Sequence, residues 1–86
     1  MVRKEIVLEN ANGLHMRPGR LFVQEAKKQA CKVSVIHRNV TADAKSLVKL
    51  LKMGIGKGHS ITLVCEGEGE QKSLNYLETF ISSLEG

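Results

Sequence analysis

The stretch NGLHMRPGR, Asn12 to Arg20, is where the chain changes its periodicity. Upstream, EIVLEN at 5–10 places Ile6 and Leu8 on one face of a strand, and the turn chemistry of Asn10, Asn12 and Gly13 ends it. Downstream of Pro18 the apolar spacing becomes helical. Gly19, Phe22, Val23, Ala26 and Ala30 fall at i, i+3, i+4, i+7 and i+11, while Lys27, Lys28 and Gln29 cover the other face. A strand therefore feeds a helix through a loop that carries His15.

Reading outward, CKVSVIH at 31–37 is β-branched and alternating, and Arg38-Asn39 turns it into a short NVTA strand, which makes a hairpin. Ser46 is a good N-cap for LVKLLKM, and Gly54 supplies the left-handed residue that closes a two-turn helix. Leu47, Val48, Leu50, Leu51 and Met53 surround most of that short helix, so one side is expected to meet a partner. SITLVCE at 60–66 alternates as a strand, and GEGE is an acidic turn. Leu74, Leu77, Ile81 and Leu84 then repeat every three or four residues from about Glu70, predicting a last amphipathic helix. The order β-α-β-β-α-β-α predicts a two-layer α+β domain: a small four-stranded sheet with helices on one face and water on the other.

Eighty-six residues suffice for one core and no second module, so residues 1–86 are expected to form a single domain. With 42% hydrophobic and 26% charged residues the chain is globular in composition. No apolar run approaches membrane length and MVRKEIVLEN has no secretory core, which leads us to expect a cytosolic protein without membrane insertion. Cys31 and Cys65 each sit in an apolar run and read as buried free thiols. His15, His37 and His59 lack the CxxC or HxxxH partners of zinc sites, so no metal is expected. The net charge of +4 favours acidic partners.

The first turn of a helix presents amides with no internal acceptor and the positive end of the macrodipole, together an anion site. Pro18 marks that turn, since its missing N–H costs nothing there. His15 lies just before it, Arg17 offers a planar fork suited to phosphoryl oxygens, and Asn12-Gly13 lets the loop curl back over the imidazole. An imidazole nitrogen with a free lone pair at that place would be a nucleophile. Because phosphoryl transfer depends chiefly on positioning and electrostatics, His15 and Arg17 are candidates for carrying it, without a metal or cofactor.

With these residues in view, the sequence resembles the HPr family of histidine-containing phosphocarriers of the bacterial phosphoenolpyruvate:sugar phosphotransferase system. GLHMRPG at 13–19 is similar to that family's active-site motif, AKSLVKLLKMGIGKG at 44–58 to its second signature, and EGEGEQ at 66–71 to its acidic approach to the last helix. The resemblance implies an open-faced β-sandwich, a four-stranded antiparallel sheet covered on one side by three helices. It further implies that His15 takes a phosphoryl group on Nδ1 from phosphorylated enzyme I and passes it to IIA components of sugar permeases, with Arg17 steadying the group and Asn12, Gly13, Met16 and Pro18 shaping the loop. The carrier would be a monomer with no turnover chemistry of its own. Leu47, Val48, Lys49 and Leu51 fall where the family docks partners, rimmed by Arg20, Gln24, Lys27 and Gly54; Leu50 is expected in the core and Leu47 at the interface. Ser46 matches a position that some bacteria phosphorylate with an HPr kinase/phosphorylase, and a phosphate there would place about two negative charges beside the docking patch. The chain departs from the common pattern at Met16, Gly19 and Gly69, and Gly19 would soften the first helical turn by up to about 1 kcal/mol relative to alanine.

Two rivals remain. The RNA-recognition fold shares the order β-α-β-β-α-β, but it stacks bases on strand aromatics, whereas Phe22, Tyr76 and Phe80 read as helical, so no nucleic acid is expected. A regulatory paralogue, signalling nitrogen or carbon status without feeding sugar uptake, would keep the same fold and histidine; the presence of both His15 and Ser46 favours the general carrier.

Overall fold

The computed structural model describes all residues, 1–86, as β1 (Val2–Val7), α1 (Met16–Lys27), β2 (Lys32–His37), β3 (Val40–Asp43), α2 (Leu47–Leu51), β4 (Ser60–Glu66) and α3 (Glu70–Ser82). The strands form one antiparallel sheet in the order β1-β4-β2-β3. Register explains the layering. Ile6 pairs with Ile61, Val2 with Cys65, Val33 with Cys65 and Val35 with Leu63, so these apolar side chains share one face and meet Phe22, Val23, Leu50, Leu74 and Leu77 from the helices. Lys4 shares the helix-covered face at the β1 edge, where it pairs with Glu78 of α3 at 3.7 Å. The opposite face carries Arg3, Glu5, Lys32 and Thr62 and holds no Phe, Tyr or Trp.

Several element boundaries differ from expectation. β1 begins at Val2 and stops at Val7, because pairing with β4 runs from Val2↔Cys65 to Val7↔Ser60; Leu8 is buried beyond the ladder. α1 opens at Met16 rather than Pro18 and ends at Lys27, so Ala30 lies past it and is exposed rather than on the buried face. α2 is a five-residue turn, capped by Ser46, whose Oγ accepts from the Lys49 amide at 3.3 Å. Gly54 follows its C-cap Lys52 at φ +64. The hairpin turn is as anticipated, with Arg38 and Asn39 both in the left-handed region. Both thiols are free and buried, and burial followed by the neighbouring Cys31 pushes Cys65 up to about 12. No helix is long and apolar enough to cross a membrane.

Candidate functional site

The loop between β1 and α1 is seated on the segment that follows α2. Gly13 has φ +56, and a Cβ there would overlap the Ile55 carbonyl oxygen and lie 2.7 Å from the Gly56 backbone. The next residue, Leu14, is buried and its amide donates to the same Ile55 carbonyl at 3.0 Å. From the other side Asn10 Nδ2 donates to the Gly13 carbonyl at 2.8 Å, and the Asn12 amide donates to the Gly86 carbonyl at 2.8 Å. Asn10, Ile55 and Gly56 therefore hold the loop; Asn10 was expected only as a turn residue, and Ile55 and Gly56 were not expected at the site.

His15 is the N-cap residue of α1, extended at φ −109 and ψ 154, and its ring is half-buried. Its backbone amide donates to the Asn12 carbonyl at 3.0 Å, but its side chain caps nothing. Nδ1 is covered from water and has no hydrogen-bond partner. Leaving such an atom unsatisfied costs on the order of 1–3 kcal/mol. Neither the Met16 nor the Arg17 amide donates within the chain, and no acidic residue occupies the first turn. Unpaired donors and an unpaired ring nitrogen thus meet at one helix mouth. Pro18 is buried in that turn while Arg17 is exposed. Arg17, Pro18 and Asn12 also line an adjoining surface cavity of about 540 Å³ closed by Phe80 and the residues after α3.

Met16 opens the helix at φ +55, a conformation that costs a residue with a Cβ about 1–2 kcal/mol. Its side chain stands out from the surface, 67% exposed, beside His15. Gly19 does more than soften the turn: a methyl group there would run into the Leu14 carbonyl and come within 3.4 Å of Leu51 Cδ2. The first turn of α1, the loop and α2 are packed together at that glycine.

The residues expected to dock partners fall into two adjoining rows. Arg20, Gln24 and Lys27 repeat along one exposed side of α1, in line with Met16 at its start, a residue expected to shape the loop. On α2, Val48 is 63% exposed, Lys49 is exposed, Leu47 and Leu51 are half-buried and Leu50 is in the core. Gly54 is exposed beyond the helix end. Leu47 is thus part core as well as part surface, since it packs against the central cluster. No group of three or more His, Cys, Asp or Glu side chains is arranged to hold a metal ion.

Comparison with known proteins agrees with this geometry. A family model described as the phosphotransferase-system HPr component phosphorylation site matches residues 2–83. The phosphocarrier protein HPr of Buchnera aphidicola from Acyrthosiphon pisum is 38% identical over 85 residues, 99% of this chain and all of the relative. The HPr-like protein Crh of Halalkalibacterium halodurans is 37% identical over 81 residues, 94% of this chain and 96% of its own. Among solved structures, an HPr from Thermoanaerobacter tengcongensis superimposes with a TM-score of 0.93 at 34% identity, covering 96% of this chain and 93% of that one. Sequence, fold and the histidine-bearing helix mouth lead to one assignment: the chain belongs to the HPr family, phosphocarriers of the phosphotransferase system rather than enzymes.

Proposed function

We propose that this chain accepts a phosphoryl group from phosphorylated enzyme I on Nδ1 of His15 and passes it to IIA components of sugar permeases. The observation that carries the reading is the unpartnered Nδ1 at the start of α1. With the ring neutral and its proton on Nε2, the Nδ1 lone pair forms the N–P bond as the bond from phosphorus to the donor protein breaks. Transfer to the acceptor reverses these roles. Because Nδ1 is covered in the resting loop, the half-buried ring must turn outward as the donor approaches. The Met16 and Arg17 amides and the Arg17 guanidinium then face the charge spread over the phosphoryl oxygens. Apolar Met16, Val48, Leu47 and Leu51, ringed by Arg20, Gln24, Lys27, Lys49 and Gly54, form the docking surface, where the cations speed encounter with acidic partners. Each transfer engages one copy, so the carrier is read as a monomer.

Ser46 is read as a regulatory site for an HPr kinase/phosphorylase. Its hydroxyl already caps α2, so a phosphate would keep the helix end satisfied while placing negative charge beside Val48 and Lys49. A second reading, a regulatory member of the family that does not feed sugar uptake, draws support from the 37% identity to the HPr-like protein Crh. Incubation with enzyme I and labelled phosphoenolpyruvate, followed by addition of a IIA domain, tests both. Acid-labile label on the chain that is lost in His15→Ala and moves on to IIA supports the carrier. Label that stays on the chain supports the regulatory branch, and label retained by His15→Ala refutes the site.

A further inference from the structure

The β2–β3 hairpin and the C-terminal end of α2 enclose a cavity of about 360 Å³ that shares only Lys49 with the surface described above. Three cations, Arg38, Lys49 and Lys52, line it, and none of them is paired: the chain's salt bridges join the N-terminus to Glu70, Lys4 to Glu78 and Lys28 to Glu25. No carboxylate lines its wall. Four other surface cavities, of about 160 to 540 Å³, each contain a glutamate: Glu85, Glu68, Glu66 or Glu9. The concentration of positive charge is therefore particular to this cavity, whose remaining wall includes the Thr41 hydroxyl and apolar Val40 and Met53.

A pair of histidines lies beneath it. The Gly56 amide donates to His59 Nδ1 at 3.1 Å. His37 Nε2 lies 3.2 Å from the same Nδ1, and the two rings are stacked. Arg38 Nη2 lies 3.5 Å from His59 Nε2, so the guanidinium sits between this ring and the cavity it lines. The hairpin turn, with Arg38 at φ +50, carries this side chain at the edge of the cavity.

We propose that this cavity binds a compact phosphate monoester, its phosphate held by Arg38 and Lys52 with Lys49 at the rim, and its uncharged body against Val40 and Met53. Three unpaired cations suit a dianion better than a single carboxylate, and a planar fork beside point charges is the usual donor set for phosphate. The site stands independently of phosphoryl transfer at His15.

Titration of ¹⁵N-labelled protein with ribose 5-phosphate, inorganic phosphate and ribose at constant ionic strength tests it. Ribose 5-phosphate is expected to shift the amides of Arg38, Thr41, Lys52 and Met53 saturably, inorganic phosphate to bind more weakly at the same residues, and ribose to bind not at all. Arg38→Gln with Lys52→Gln should weaken binding by about tenfold or more, while leaving His15 labelling by enzyme I unchanged. Both side chains are exposed, and Lys52→Gln alone provides a second variant with the same expected direction. Linear shifts without saturation, shifts spread equally over Lys27, Lys28 and Lys72, or binding untouched by the substitutions would overturn the proposal. Equal binding of inorganic phosphate would overturn the contact assigned to the ligand body.

Discussion

Gly13 and Gly54 share nearly the same backbone, at φ +56 and +64, yet alanine should be tolerated very differently at the two positions. At Gly54 nothing lies within 4 Å of an added Cβ, so the only cost is the left-handed conformation, about 1 kcal/mol for a residue with a Cβ. At Gly13 the methyl group would overlap the Ile55 carbonyl oxygen and press on the Gly56 carbonyl carbon and Cα, each at 2.7 Å. All three atoms are backbone, so no rotamer change relieves them, and overpacking adds about 1–3 kcal/mol. Pushing the two segments apart also endangers the Leu14 to Ile55 hydrogen bond at 3.0 Å, worth about 1 kcal/mol. Gly13→Ala should therefore destabilise by about 2–5 kcal/mol against about 1 kcal/mol for Gly54→Ala. Equilibrium urea unfolding of both variants measures this through the midpoint at unchanged slope. Equal costs, or a larger cost at Gly54, would refute the seating of the histidine loop on residues 55–56.

Met16→Gly removes the left-handed strain and should raise stability by about 1 kcal/mol in the same assay; a loss would contradict the strained helix start. Ser46→Ala should lose about 1 kcal/mol of capping, whereas Ser46→Asp should retain the cap and slow phosphoryl transfer from enzyme I; unchanged transfer kinetics would count against the docking surface. Burial first, then the Arg38 charge and His59, hold His37 below the ordinary imidazole range, opposed by a hydrogen bond to the Met53 backbone. The unfolded chain then binds more protons than the folded one, so this contribution is complete above the ordinary histidine value and is lost as the pH falls through the folded one. Stability should decline as the pH falls below the ordinary histidine value of about 6.5, with a shallower slope in His37→Gln; identical slopes would remove His37 as the cause.

Much of this structure was legible because it is local. Ser46 followed by an apolar run announces a cap, Arg38-Asn39 between alternating segments announces a turn, and Leu74, Leu77 and Ile81 announce a helix face. What escaped depends on distant partners. The β1 boundary is set by its register with β4, and Val2 to Lys4 do not alternate cleanly enough to reveal it. Ala30 fits the helical period, but α1 has already ended, and period alone does not say where a helix stops. The need for glycine at 13 was readable as turn chemistry, whereas its close approach to Ile55 and Gly56, more than forty residues away, was not. At the site, His15 beside Pro18 was visible in the motif; the left-handed Met16 and the grip of Asn10 were not, since each arises from how the loop closes on other segments.

The central claim concerns a single nitrogen atom. Protein containing ¹⁵N-histidine, phosphorylated by enzyme I and phosphoenolpyruvate, can be followed by long-range ¹H–¹⁵N correlation, which separates the ring nitrogens of His15, His37 and His59. The account predicts a phosphorus-coupled Nδ1 on His15 and unchanged rings at His37 and His59. Phosphorylation at Nε2, at either other histidine, or at no histidine would contradict it.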